Sequence, residues 1–296
     1  MNWLSRAQLM TYEEMLQTCE LLVGMGIEKI RITGGEPFVR KDIMKLLTAI
    51  SELDGLKELT LTTNGVLTAP HVSELKQIGV KSVNLSLDTL DAGRFFSITK
   101  RDEFANVMAT MDELLKHDIE VKINAVVMDG KNTQDIVPLV ELTKSLPVSV
   151  RFIEEMPFNG NGHVYSGIKW DYVRILDEIK TEYPGISKLE DPQYSTSYNY
   201  QVPGYLGSVG IIAAYSRTFC GTCNRIRITP EGELKTCLYD NGVLNIKDQL
   251  RAGINEGDLK TMLLTTFNTR AKDGWEAEQL RTENVRIHES MATIGG

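Results

Sequence analysis

Five times between residues 11 and 153 a helical stretch alternates with a short β-branched run, each step taking roughly 30 residues. Residues 11–25 carry apolar side chains at helical spacing and open with Thr11 followed by Glu14, a capping-box pattern. Residues 42–53, 69–78, 103–117 and 133–145 read as further helices, and 29–33, 58–62, 82–86, 121–127 and 148–153 as strands. The alternation dictates a parallel sheet with crossover helices, because parallel neighbours cannot be joined by a hairpin. An open doubly wound sheet and a curved partial barrel fit the pattern equally well, and both place a ligand site at the C-terminal strand ends. After Met156 the pattern changes to Gly-, Asn-, Tyr- and Ser-rich segments, with strand-like pieces at 210–213 and 225–228 and helical ones at 245–251 and 258–267. The expected division is 1–157 for the βα region and 158–296 for a C-terminal region.

At 296 residues the chain can bury one large core, or one core and an appendage. No run approaches the roughly 18 apolar residues of a membrane span. A net charge of -8 argues against a nucleic-acid surface but leaves room for an anionic small molecule where arginines cluster. The opening MNWLSRAQLMTYEE lacks a basic region followed by an apolar run, and four cysteines without a signal imply a reducing, cytoplasmic setting.

Each strand ends in polar residues. The first ends Thr33-Gly34-Gly35-Glu36-Pro37, where glycines let backbone approach a ligand and Glu36 would suit an ammonium group. The turn alone favours a plainer reading, in which Glu36 caps the next helix. Thr62-Thr63-Asn64-Gly65, Ser86-Leu87-Asp88, Lys122 with Asn124, and Arg151 with Glu154 and Met156 complete one rim. Arg31 and Lys122 sit within strands, and a sheet covered on both faces offers little solvent to such cations.

Three of the four cysteines form Cys220-Gly-Thr-Cys223 and Cys237, and the fourth is Cys19. A redox pair would start a helix after a strand, whereas Asn-Arg-Ile-Arg-Ile-Thr alternates like a strand. Structural zinc takes four ligands, and neither Cys19 nor His163 stands at ligand spacing. Three thiolates suit three irons of a cubane cluster and leave the fourth iron open to a ligand. Strand alternation places Arg225 and Arg227 on one face, where guanidinium forks can hold phosphate. A solvated surface pair is the plain alternative. An open iron beside two arginines suggests a nucleotide, with base to iron and phosphates to arginine.

The series KIRITGGEPFVRKDI, LTTNG, VNLSLDTLD, VKINAVVMDG, RFIEEMP, C-x2-C-x13-C with NRIRIT, and Gly295-Gly296 resembles the GTP 3′,8-cyclases. These are radical S-adenosylmethionine enzymes of molybdenum cofactor biosynthesis. The resemblance covers nearly the whole chain. It implies an α/β fold: an incomplete (β/α) TIM-like barrel lacking its first strand, with a C-terminal iron–sulfur extension. It implies that Gly35, Glu36, Ser86 and Met156 hold S-adenosylmethionine, and that Arg31, Thr62, Lys122, Arg225 and Arg227 hold GTP. Cys220, Cys223 and Cys237 would ligate a second [4Fe–4S] cluster that binds the guanine, and the di-glycine tail would reach the active site. The family reaction abstracts the 3′ hydrogen of GTP and closes the ribose carbon onto C8, giving (8S)-3′,8-cyclo-7,8-dihydroguanosine 5′-triphosphate. An electron donor, cyclic pyranopterin monophosphate synthase as the next enzyme, and a homodimer are the implied partners, with no nucleic acid and no membrane. The family opens with a strand and a C-x3-C-x2-C loop for a first [4Fe–4S] cluster. This sequence starts at the stretch after that loop, so a truncated and inactive chain is expected. The alternatives are a non-catalytic nucleotide- or metal-binding protein and an unrelated zinc protein.

Overall fold

The capping box at residue 11 forms as expected. Glu14 N–H donates to Thr11 Oγ1 at 3.2 Å and Thr11 N–H to the Glu14 carboxylate at 2.8 Å. The structure, a computed structural model, describes residues 5, 7–156, 167–240 and 242–280. It divides by packing into two compact units. The described residues of 1–59 and 223–280 form the first, and those of 60–156 and 167–222 the second. The division at 157/158 drawn from sequence is one of element pattern; packing joins the start of the chain to its C-terminal region.

In the first unit, α1 (Tyr12–Gly24) leads to β1 (Lys29–Ile32) and α2 (Ile43–Ser51). The chain then crosses into the second unit through β2 (Glu58–Thr63), followed by α3 (Val72–Gln77), β3 (Ser82–Ser86), α4 (Ala92–Thr99), α5 (Phe104–Lys116) and β4 (Glu120–Val127). Next come α6 (Ile136–Ser145), β5 (Val148–Glu154), α7 (Tyr172–Glu182), β6 (Ser187–Lys188), β7 (Tyr198–Gln201) and β8 (Ser208–Ile212). From β2 onward the sheet order is β2-β3-β4-β5-β8-β7-β6. The strands β2 to β5 and β8 run parallel, while β7 and β6 add an antiparallel edge. The sheet is open, as the incomplete barrel requires. The sequence recognised residues 210–213 only as a short piece, because β8 arrives through α7 and a hairpin rather than through one crossover helix.

Strand faces in this sheet differ sharply. Leu61, Val83 and Val121 share one register line, and Leu85, Ile123, Val150 and Val209 another, all of them buried. The opposite face is polar and half-buried along β4 and β5. A parallel sheet with both faces packed would read as continuous aliphatic runs. The alternation of β4 and β5 therefore keeps one face for something other than core, while β2 and most of β3 are buried on both faces as expected.

The chain returns to the first unit through β9 (Arg227–Ile228), β10 (Glu233–Lys235) and β11 (Leu244–Asn245), a three-stranded antiparallel sheet. Then follow α8 (Ile246–Arg251), α9 (Glu256–Asn268) and α10 (Gly274–Gln279). Leu21 and Leu22 of α1 pack with Leu234, Ile246, Leu259 and Leu263 in one core. Arg251 fastens the N-terminal segment to α8, with Nε 2.6 Å from the Glu14 carboxylate and donors on the Ala7 and Leu9 carbonyls. Among the described residues no helix is long and apolar enough to cross a membrane.

Candidate functional site

The polar face of the second unit is built by register. Thr62, Asn84, Lys122, Ser149 and Ser208 lie side by side on β2, β3, β4, β5 and β8. Two residues further along, Ser86, Asn124, Arg151, Gly210 and Asn199 form the next line. Period-2 strands put both lines on the same side. The residues hold one another: Asn84 Nδ2 donates to Thr62 Oγ1 at 3.2 Å, and Ser208 Oγ to Ser149 Oγ at 3.2 Å. Lys122 Nζ reaches Ser82 Oγ at 3.4 Å and pairs with Glu120 at 2.7 Å. Asn124 Oδ1 is buried and accepts no hydrogen bond among the described residues, a costly state that a ligand donor would relieve. Thr62, Ser86 and Lys122 are thus brought together, with Asn124 and Arg151 beside them; the sequence had placed these two only on the rim.

At the far end of β3, a cavity of about 200 Å³ is lined by Asn64, Ser86, Asp88, Phe95 and Arg101 among others. Asp88 accepts a hydrogen bond from Val126 N–H at 2.8 Å. Asn132 braces this corner, donating to the Asp88 and Val126 carbonyls at 2.9 and 2.8 Å. Below it the buried Asp135 is held by Arg94 Nε at 2.6 Å and by Thr89 Oγ1 at 2.8 Å. Burial pushes the Asp88 carboxyl up to about 6, Asp135 adding to the rise and the Val126 hydrogen bond and Lys131 opposing it. The folded state therefore binds a proton that the unfolded state has already released. Stability from this group falls as pH rises from about 4 through 6, by on the order of 3 kcal/mol. Asp88→Asn keeps an oxygen for Val126 N–H and removes the buried charge. Thermal unfolding at pH 5 and pH 8 should show the variant gaining more on the native chain at pH 8 than at pH 5; an equal difference at both values would refute this account.

In the first unit, Gly34 has φ 132°, a conformation that favours glycine. Gly35 and Glu36 follow β1, and the Glu36 carboxylate accepts from Phe38 N–H at 3.2 Å as cap of a short 3₁₀ turn at Pro37–Val39. This local contact is the cap that the plainer reading of the turn expects. Arg31 on β1 and Arg225 and Arg227 at β9 form a cationic group. Burial, with Arg225 nearby, holds Arg31 below its ordinary value, partly offset by Glu58. Burial and then Arg225 push Arg227 down to about 10; the sulfurs of Cys223 and Cys237 oppose this and Arg31 adds repulsion. Burial would push the Cys223 thiol up, yet Arg225, with hydrogen bonds from Arg225 and Arg270, brings it down to about 7. Regular strand geometry begins only at Arg227, so the predicted strand alternation is not what brings Arg225 into this group.

Each thiol arm has its own support. Cys237 N–H and Thr236 N–H both donate to Asp240 Oδ2 at 2.8 Å, and Tyr239 N–H reaches Cys237 Sγ at 3.5 Å. Cys220 opens a single 3₁₀ turn, Cys220–Thr222, in the second unit, where Met156 also lies just beyond β5. None of the four cysteines is in a disulfide, and all are half-buried. No group of three His, Cys, Asp or Glu side chains poised for a metal ion occurs among the described residues. The soft donor set and the near-neutral Cys223 thiol suit an iron–sulfur centre; Cys19, which burial pushes up to about 12, does not. The di-glycine tail and His163 lie outside the described residues.

These features define a class. The sequence pattern of the Radical SAM superfamily matches residues 2–143, and that of Molybdenum Cofactor Synthesis C matches residues 148–275. Two solved structures with S-adenosylmethionine bound share the fold. SuiB of Streptococcus suis, bound to S-adenosylmethionine, superposes with a TM-score of 0.62 at 18% identity, over 93% of this chain and 62% of that one. The anSMEcpe structure with bound AdoMet gives 0.57 at 15%, over 92% and 75%. Among sequences, Molybdenum cofactor biosynthesis protein 1 of Mus musculus is 41% identical over 86% of this chain but only 40% of its own length. The chain thus spans about two fifths of the first such relatives. GTP 3′,8-cyclase of Clostridium perfringens is 36% identical over 100% of this chain and 90% of that protein. The chain belongs to the GTP 3′,8-cyclase family.

Proposed function

We propose that the chain acts as a GTP 3′,8-cyclase in molybdenum cofactor biosynthesis. The observation that carries this reading is the gathering of Arg31, Arg225 and Arg227 with the Cys223 and Cys237 thiols in one unit. Clustered guanidinium groups that repel one another are complementary to a polyanion, and their forks suit phosphate oxygens. Thiols beside them suit iron, one corner of which would take the guanine. Thr62 and Lys122 are assigned to GTP, and Gly35, Glu36, Ser86 and Met156 to S-adenosylmethionine. Arg151, on the register line of Ser86, offers that cosubstrate a cation for its carboxylate. When bound with its cluster, S-adenosylmethionine supplies the radical that takes the ribose hydrogen; the residues here orient GTP so that one hydrogen among many is presented.

The partners that go with this reading are an electron donor, cyclic pyranopterin monophosphate synthase as consumer of the product, and a second copy of the chain in a homodimer, all in the cytoplasm. Cys220, Cys223 and Cys237 leave only Cys19, so turnover is expected where a further three-thiol set is supplied. Anaerobic reconstitution with iron and sulfide should load about four irons on the chain, lost on combined Cys220, Cys223 and Cys237→Ala substitution. Mass spectrometry after incubation of iron-loaded protein carrying that further three-thiol set with S-adenosylmethionine and GTP should show the cyclised nucleotide. GTP binding without turnover there would instead support the non-catalytic alternative, and stoichiometric zinc with no iron would support a zinc protein.

A further inference from the structure

Glu154, the last residue of β5, is fully buried, and its carboxylate is the meeting point of three chain segments. Tyr172 N–H, at the start of α7, donates to Oε1 at 2.8 Å, and so does Ser216 Oγ at 2.8 Å. Tyr215 N–H and Ser216 N–H donate to Oε2 at 2.9 and 2.7 Å. Four donors face two oxygens, so the side chain serves only as an acceptor. A carboxylate can do that; an amide cannot.

The segment it grips leads straight to a predicted metal ligand. Ala213 O accepts from Arg217 N–H at 2.8 Å, and Arg217 O from Cys220 N–H at 3.1 Å. Arg217 itself is buried with φ 55°, a left-handed conformation that a non-glycine residue keeps only when its surroundings fix it. The path from Glu154 runs by hydrogen bond to Ser216, by the peptide bond to Arg217, and by hydrogen bond from Cys220 N–H to the Arg217 carbonyl. Glu154 also ends the strand whose next residues are Glu155 and Met156.

We infer that Glu154 is a positioning residue for the iron centre: it fixes the Cys220 arm, and the strand end bearing Met156, in one rigid arrangement. This rests on the cluster reading given above. A bystander role in folding alone would make iron retention fall only as far as overall stability falls. Positioning predicts that the two separate, as for partners that orient metal ligands elsewhere.

The test uses the 296-residue chain, reconstituted anaerobically with iron and sulfide and challenged with a chelator. Glu154→Gln sets an amide nitrogen against two of the donors, and Ser216→Ala removes only the hydroxyl contact to Oε1. Iron release should be about tenfold faster in Glu154→Gln and measurably faster in Ser216→Ala. The Ser216→Ala midpoint of thermal unfolding without iron should stay within about 2 °C of native. Cys220→Ala fixes the rate expected when that arm is lost altogether. Variants that release iron at the native rate overturn the inference alone, as does a loss that merely follows the unfolding midpoint. A native chain that holds no iron overturns the cluster reading, and this inference with it.

Discussion

Arg227→Met is expected to abolish GTP binding while raising the thermal stability of the ligand-free chain. Arg227 is half-buried, and its charged form is held against desolvation and against the neighbouring Arg225 and Arg31, the Cys223 and Cys237 sulfurs opposing them. Replacing this charge with an apolar side chain of similar length should stabilise the empty chain by on the order of 1 kcal/mol. The ligand sees the reverse. A charge-assisted contact to phosphate contributes about 1.5–3 kcal/mol, and a bidentate fork makes two, so affinity should fall by about 10²- to 10⁴-fold. Arg227→Lys should recover little, because an ammonium cannot reproduce the fork. Calorimetric titration with GTP and thermal unfolding, both on iron-loaded protein of checked iron content, separate the two effects. Affinity within about threefold of native would remove the phosphate role. A lowered unfolding temperature would remove the claim that these residues are assembled for the ligand at the expense of the empty fold.

Much of this architecture was legible from residue pattern, and the reasons are local. Ser82–Ser86 alternates polar and apolar residues, and its bounds match the expected ones; the other expected strands fall within a residue of theirs. The helix α4 was overlooked although Asp91 caps it, accepting from Arg94 N–H at 2.6 Å. Its eight residues, Ala92–Thr99, are too short to show a periodic signal beside the longer α5. Likewise α7 carries Asp171 as cap and the buried pair Ile175 and Ile179 one turn apart, a signal that the change of pattern after Met156 obscured. Packing of the start of the chain against β10, α8 and α9 left no local trace, since Leu21 meeting Leu263 is a contact between distant residues.

The site was legible in kind more than in arrangement. Period-2 spacing was enough to mark Thr62, Ser86 and Lys122 as strand-end or in-strand polar residues. Only register shows Lys122 beside Asn84, and Asn124 between Ser86 and Arg151. The arginines were found by their spacing to the cysteines. What spacing cannot show is that Arg31, nearly two hundred residues earlier, joins them in one electrostatic group. Glu36 shows the opposite case, in which an acidic residue next to glycines proves to cap a 3₁₀ turn.

Gly207→Ala should be among the most damaging single changes in the chain, although this residue touches no proposed ligand. A methyl at this position would stand 2.2 Å from the Val148 carbonyl oxygen, 2.8 Å from that of Leu146 and 3.1 Å from Thr143 Cβ. Two of these are backbone atoms at the junction of α6 and β5 and have nowhere to yield, so the substitution must displace β8 or its neighbours. Gly207 N–H also donates to Thr143 O at 2.8 Å, a contact that such a displacement would break. The cost is expected to be at least about 3 kcal/mol, seen as an unfolding temperature lowered by about 10 °C. Gly210→Ala is the milder comparison: its added methyl would stand 3.2 Å from Arg151 Cγ and 3.3 Å from both Asn199 Oδ1 and Ser197 Cβ, all side-chain atoms, so it should cost less than Gly207→Ala. Because β8 leads into the segment that Glu154 grips, iron bound by the Gly207→Ala chain should fall along with stability, in contrast to Ser216→Ala. An unfolding temperature within about 2 °C of native would show that β8 is not seated by backbone closeness at this point.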